Sequence, residues 1–340
     1  MTVIKSEWIT REQYQETLSN LETPDTTIYH RLQWLDVLVN GFGAEICFIC
    51  SLGADDVALA VTPFICKRKG PFRLIGSPLR GMHTEFAGPL LRKGLAPEKL
   101  ASVMTGLHQL LVKKNHYIEW GSKGEESWGH ILTFLGYSKS LRSTLLIDLS
   151  SGEEVVWASF EGRARNMIRK AEKAGVEVRI IQPDDQWIIG YYEMLVKTFA
   201  HQGLVAPHPL AFYRQLIEIS TTGLARCMVA EVDGKVIGGS IFLIDDKRML
   251  YLSGVANKLG MTLAASSLLQ WHAIKEAIRL GVTQYDMGGM GIPSIDKFKR
   301  SFGGHDFSHS RWVYRSSLFK IAEPMGLWAA QKGWIKFGEK

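Results

Sequence analysis

The run Tyr285-Asp286-Met287-Gly288-Gly289, continued at Phe298-Lys299-Arg300-Ser301-Phe302-Gly303-Gly304, decides how the rest of the chain is read. Residues 263–280 lead into it with apolar side chains at helical spacing, and Gly281 ends them as a glycine just past a helix does. Residues 282–287 read as a short strand. A glycine-rich turn follows, then a second short helix over residues 294–301 that carries Lys299. A strand ending on an acid and a glycine turn, followed by a lysine, can set a carboxylate and a cation at one mouth. Asp286 can equally cap the turn that follows it.

The same order of elements occurs earlier. Strands are expected at residues 45–51, 57–67 and 72–76, a helix at 97–115, a strand at 117–120 and a helix at 128–135. In the second half, strands are expected at 225–232, 236–244 and 249–255, with Asp233-Gly234 as a hairpin turn between the first two. Tyr117-Ile118-Glu119-Trp120-Gly121 matches Gln284-Tyr285-Asp286-Met287-Gly288, and Phe134-Leu135-Gly136-Tyr137 takes the place of Ser301-Phe302-Gly303-Gly304. A repeat of this length predicts two copies of one α/β unit.

Composition agrees with a folded enzyme-sized chain. The 340 residues are 46% hydrophobic and 22% charged, enough for two medium domains with real cores. No apolar run reaches the roughly 18–20 residues of a membrane span, and the N-terminus lacks a signal-peptide pattern, so a cytoplasmic protein is expected. Cys47, Cys50, Cys66 and Cys227 lie in strand-like apolar segments; Cys47 and Cys50 form a C-x-x-C without a second pair, so no metal site is expected. A net charge of +6 favours anionic partners such as phosphates, nucleic acid or a membrane surface.

Two further stretches are basic. Arg165, Arg169 and Lys173 recur at spacing four on one helical face, flanked by Arg163 and Lys170. They form a phosphate- or RNA-facing stripe or else a solvated face offset by Glu161 and Glu172. In the tail, Leu318, Phe319, Ile321, Trp328, Trp334, Ile335 and Phe337 mix with Lys320, Lys332 and Lys336. That pattern suits a helix docked on the core or one lying on an anionic membrane surface.

Over residues 28–315 the chain resembles the FemAB-type branch of the GNAT acyltransferase superfamily. The likeness rests on the basic helix of residues 163–175, the Asp233-Gly234 hairpin, Tyr285-Asp286-Met287-Gly288-Gly289 and Phe298-Lys299-x-x-Phe302-Gly303-Gly304. The resemblance implies an α/β (α+β) fold of two tandem GNAT-like domains. Each is a mixed, mainly antiparallel sheet flanked by helices, with the active cleft between them. Residues 1–144 would form the acceptor-side domain, 145–310 the donor side, and 311–340 a tail packing back on the first domain. It further implies transfer of an aminoacyl group from aminoacyl-tRNA to an amine of a cell-wall or surface-glycan precursor, with no tightly bound cofactor. Two positions depart from bridge-forming relatives. Leu38 stands where those often carry a lysine one turn after the residue matching Trp34, and no arginine precedes Arg214 in the stretch from His201. An acceptor on a lipid carrier or a glycan therefore fits as well as a soluble nucleotide-linked one.

The chemistry expected is aminolysis of an activated ester, which needs donors aimed at the developing oxyanion. Lys299 is the first candidate and, by resemblance, the most transferable position; the alternative is a surface lysine. Tyr251 could lend a hydroxyl at the cleft or be a core aromatic. Asp286 or Glu119 could accept the amine's proton or serve as structural hydrogen-bonding groups. Arg80, His83 and Glu85 crowd a loop suited to acceptor recognition, and Phe298 and Trp34 complete the expected substrate contacts. Acyl-CoA is the competing donor. The stretch Asn257-Lys258-Leu259-Gly260-Met261-Thr262-Leu263-Ala264-Ala265 keeps one glycine of the usual pyrophosphate loop. A non-catalytic RNA- or membrane-surface-binding relative is the third possibility. No nucleophile elbow or Walker loop is present.

Overall fold

The computed structural model describes residues 4–23, 25–123, 127–201 and 203–331. Trp334, Ile335, Phe337, Lys332 and Lys336 of the expected tail helix lie outside them. The chain runs β1 (Lys5–Ile9), α1 (Arg11–Asn20), α2 (Leu32–Phe42), β2 (Glu45–Leu52), β3 (Ala58–Lys69), β4 (Phe72–Ser77) and β5 (Leu90–Leu91). It continues with α3 (Pro97–Val112), β6 (Tyr117–Ser122), α4 (Gly129–Phe134), β7 (Ser138–Asp148), α5 (Glu153–Ser159), α6 (Gly162–Lys173) and β8 (Glu177–Ile181). Then follow α7 (Asp185–Ala200), α8 (Leu210–Thr221), β9 (Ala225–Val232), β10 (Lys235–Ile244), β11 (Arg248–Ala256) and α9 (Lys258–Thr262). The last elements are α10 (Ala265–Arg279), β12 (Gln284–Gly289), α11 (Pro293–Arg300), β13 (His305–Arg315) and α12 (Ser317–Gln331).

Two compact units result. The first holds Met1–His30, Ala44–Leu141 and His309–Lys340; the second holds Arg31–Gly43 and Arg142–Ser308. The first sheet runs β1-β2-β3-β4-β6-β13, the second β8-β9-β10-β11-β12-β7. Both are antiparallel except at one place each, β4 beside β6 and β11 beside β12. The duplication read in the sequence thus extends to strand order and to the position of the single parallel pair. The closing strands are exchanged: β7, which follows the first unit's α4, completes the second sheet, and β13, which follows α11, completes the first.

Each unit has its own core. In the first, Phe64, Ile75, Leu107, Ile118, Trp120 and Trp312 pack around α3; in the second, Ile147, Phe160, Ile168, Phe242, Ile274 and Tyr285 pack around α10. α2 comes early in sequence yet belongs to the second unit. Gly41 explains why: a Cβ there would sit 2.7 Å from the Cα of Phe212, so only glycine lets α2 lie this close to α8. Trp34, expected to touch substrate, is fully buried on this contact, edge-on to Phe212 at 6.3 Å. It is a packing residue, and Leu38 is buried on the same helix.

The long helix expected over residues 263–280 is broken. α9 ends at Thr262, Ala264 takes a left-handed conformation (φ 60°), and α10 starts at Ala265. β13 was not expected as a strand. Its sequence, HDFSHSRWVYR, lacks the apolar alternation that marks one.

Candidate active site at the parting of β11 and β12

β11 and β12 pair through Arg248, Met249 and Leu250 opposite Gln284, Tyr285 and Asp286. Beyond these, each strand continues without pairing to the other, so a wedge opens between them. Two irregularities shape it. In β11, the register with β10 slips by one residue between Ser253, which faces Ile241, and Tyr251, which faces Phe242; this bulge sets the aim of Tyr251. In β12, pairing with β7 breaks between Asp286 and Gly289. Gly288 lies in that break at φ 77°, and a Cβ on it would meet the carbonyl oxygen of Tyr251 at 3.1 Å and Lys299 Nζ at 3.7 Å.

Lys299 points into this region from α11. Its Nζ donates to the Gly289 carbonyl at 2.6 Å, and the residue is only 5% exposed. The surface-lysine reading is therefore set aside. Burying an ammonium costs several kcal/mol unless partners compensate, and the first unit shows that the fold does not require it. Aligning the left-handed glycines that follow the two short helices, Gly136 and Gly303, puts Leu132 in the place of Lys299, and Leu132 is a fully buried core residue. A buried lysine thus occupies a leucine position where β11 and β12 part.

Asp286, expected as a proton acceptor, is fully buried. It accepts from Arg248 at 3.1 Å and from the Gly288 N–H at 2.8 Å. Burial pushes its carboxyl up, while Arg248, the Gly288 amide and Lys299 pull it back. With its oxygens committed and no solvent contact, Asp286 fixes the Gly288 turn. Arg248 was missed from sequence, although one arginine opening the apolar run Arg248-Met249-Leu250-Tyr251-Leu252 is the sign of a buried ion pair. Tyr251 lies over Gly254, whose Cβ would come within 2.2 Å of its hydroxyl, and Ser240 Oγ is close by. Burial pushes the Tyr251 hydroxyl up to about 12, so it stays a neutral donor at physiological pH.

The equivalent wedge of the first unit is filled. β4 and β6 pair from Leu74–Tyr117 to Ser77–Trp120, and the following loop folds into the space beyond. A Cβ on Gly121 would strike Pro78 Cδ at 2.6 Å and lie 3.3 Å from the Glu85 carbonyl oxygen. Glu119, the counterpart of Asp286, accepts from the Arg80 N–H at 2.9 Å, the Tyr117 hydroxyl at 3.0 Å and Arg311 at 2.6 Å. Arg80 pairs with Glu323 and lies over the Tyr117 ring, while His83 and Glu85 are half-buried in the same loop. The set expected to recognise acceptor thus begins, at Arg80 and Glu119, with groups that hold the first unit together.

The five basic residues of α6 have different fates. Arg165 donates to the carbonyls of Ala158 and Phe160 at 3.0 and 2.8 Å, closing the end of α5. Arg169 lies over the Trp157 ring. Lys170 and Lys173 are exposed. Arg163 lines a cavity of about 240 Å3 with Phe298, Ser301, Gly260, Ser266 and Ser267. The start of α10 opens on this cavity, and its backbone N–H groups and dipole suit an anion. Gly260 has a packing reason as well, because a Cβ would sit 2.2 Å from the Ile237 carbonyl oxygen. Arg165→Ala is expected to lower stability by about 2 kcal/mol, from two lost charge-assisted bonds, with no change in donor affinity; thermal melts beside donor titration check this.

Residues 158–300 match the acetyltransferase (GNAT) domain family. FemX shares the fold at 14% identity, covering 94% of this chain and 100% of FemX, with a TM-score of 0.73. A tandem GNAT protein from the clavulanic acid biosynthesis pathway matches at 10% identity over 92% of this chain and 100% of its own, TM-score 0.60. L-PGS from Bacillus licheniformis matches at 12% identity over 92% and 93%, TM-score 0.54. No curated protein matches in sequence. The match places a GNAT-type acyltransferase domain at residues 158–300, within the second unit. The chain as a whole shares its fold with FemX and with the tandem GNAT protein.

Proposed function

We propose that the second unit moves an aminoacyl group from aminoacyl-tRNA to an amine of a cell-wall or surface-glycan precursor, with Lys299 supporting the reacting carbonyl. The observation that carries this reading is the contrast between the two wedges. In the first unit the loop after β4 lies against Gly121 and the short helix presents Leu132; in the second, β11 and β12 stop pairing before Gly288, and the short helix presents a buried lysine. As the amine attacks, negative charge develops on the ester oxygen. A preorganised ammonium at the wedge, together with backbone N–H groups freed where the ladders part, is the type of donor set that stabilises it. The neutral Tyr251 hydroxyl lies nearby on β11, over Gly254.

On the donor side, the cavity at the start of α10 receives the anionic end of the donor. The exposed cations Lys170 and Lys173 continue from Arg163 along α6, as an RNA strand requires and a single coenzyme does not. The glycine pattern of an acyl-CoA loop is reduced to Gly260, which the fold already needs for packing. On the acceptor side, Leu38 is buried and Arg214 is engaged by Asp185 at 2.7 Å, which favours an acceptor on a lipid carrier or glycan over a soluble nucleotide-linked one.

Titration with aminoacyl-tRNA and separately with acetyl-CoA tests the donor. Neutralising Arg163, Lys170 and Lys173 is expected to weaken RNA binding and flatten its salt dependence by about one unit of log–log slope per lost phosphate contact. Acetyl-CoA binding with RNA affinity unchanged in the triple variant would favour the coenzyme instead.

A further inference from the structure

The last helix of the first unit has two unlike faces. Its inner face is docked: Phe319 packs edge-on to Phe72 at 5.2 Å and against Tyr117 at 5.5 Å, and Glu323 is held by Arg80 and Arg315. Its outer face carries Leu318, Ile321, Met325 and Trp328 at spacings of three, four and three, which is one stripe of a helix. These four are 68%, 66%, 65% and 51% exposed. A contiguous apolar stripe this open marks an interaction surface rather than scattered surface hydrophobics.

The exposed charges nearest the helix are mainly basic. Phe72, which holds the helix, closes the hairpin that carries Lys67, Arg68, Lys69 and Arg73, and Lys69 lies close enough to feel Glu323. Ser316, just before the helix, donates its N–H to the His116 carbonyl at 2.8 Å, next to exposed Lys113 and Lys114. Lys320 is exposed on the helix itself. The one acid of α12, Glu323, is turned inward and neutralised by two arginines. No helix among the described residues is long and apolar enough to cross a bilayer.

We propose that α12 is an interfacial docking helix that seats Leu318, Ile321, Met325 and Trp328 in the headgroup region of an anionic bilayer, with the cations of the β3–β4 hairpin and the α3–β6 turn against the phosphates. Apolar burial supplies part of the affinity, and attraction of the flanking cations to anionic lipid supplies the rest. The docking gives the lipid-carrier acceptor proposed above a surface to be presented on, but it needs nothing from the acyl-transfer site.

Vesicle flotation of the full chain tests it, using phosphatidylcholine vesicles with and without phosphatidylglycerol. The wild type floats with the anionic vesicles and is released by salt. The combined variant Leu318→Gln, Ile321→Gln, Met325→Gln binds at least about ten-fold more weakly with its melting temperature little changed, because the replaced side chains are mostly exposed. Arg68→Ala with Lys69→Ala, Lys113→Ala and Lys114→Ala weakens binding comparably and lessens the salt effect. Lys299→Leu floats like the wild type, so failure of the acyl-transfer reading leaves this result standing. Wild type that ignores anionic vesicles at low salt, or an apolar-stripe variant that floats as well as wild type, overturns the proposal. So does gel filtration showing a wild-type dimer that the stripe variant turns into monomer, since the stripe would then join copies of the chain.

Discussion

Lys299→Leu is expected to fold, melt close to the wild type and transfer acyl groups 10²–10³-fold more slowly, roughly the loss that follows removal of one oxyanion donor. The first unit carries a leucine at the matching place, Leu132, fully buried in the same local frame. Replacing a buried ammonium with an apolar side chain of suitable size is neutral or stabilising, while the Gly289 carbonyl loses its donor; the two effects partly cancel to within about 2 kcal/mol. Rate and stability thus separate in one variant. A residue that merely packs would lower both together. Differential scanning calorimetry beside initial-rate measurement gives the comparison, and a Lys299→Leu enzyme with wild-type turnover would remove the ammonium from the chemistry.

The opposite pattern is expected at the Arg248–Asp286 pair. Arg248→Met leaves a carboxylate in the core without its partner, and Asp286→Ala leaves a guanidinium. Breaking one side of a buried pair costs about 3–5 kcal/mol, and for a unit of this size that lowers the melting temperature by roughly 10 °C. Activity falls with it, because Asp286 holds the Gly288 N–H and so the turn at the wedge. The double replacement Arg248→Met with Asp286→Leu recovers much of the stability, since neither charge is then stranded. If Asp286 were instead the proton acceptor, Asp286→Asn would melt like the wild type and lose only rate. Equal melting temperatures with a collapsed rate would therefore return Asp286 to that role.

The repeat was legible because it is written twice in the same vocabulary. Glu119 and Asp286 each end a short apolar strand before a glycine, and Gly136 and Gly303 each follow a short helix in a left-handed conformation. Hydrophobic period and glycine position report backbone geometry directly, so the order of elements was legible, while the order of strands within each sheet came only with the structure. β13 stayed hidden because its partners, not its own alternation, make it a strand; Trp312 faces Trp120 across the ladder while histidines and serines fill much of the rest. α2 was assigned by its place in the chain, and only the approach of Gly41 to Phe212 puts it with the second unit.

Site residues were harder to read because residue type does not say which way a side chain is committed. Arg165 looked like a phosphate contact and closes a helix instead. Lys299 was recognisable as a candidate, but what gives it weight is its burial, a property invisible in one sequence. What packs at the equivalent place in the first unit was likewise out of reach. It depends on Pro78 and Glu85 lying against Gly121, a contact between segments more than thirty residues apart.

The most direct test of the account is single-turnover transfer from labelled aminoacyl-tRNA to a simple amine acceptor, run with wild type and with Lys299→Leu, before and after ribonuclease. The account predicts transfer by wild type that ribonuclease abolishes and Lys299→Leu reduces by at least about a hundred-fold. Transfer that proceeds from acetyl-CoA and is untouched by ribonuclease, or that Lys299→Leu performs as well as wild type, would contradict it.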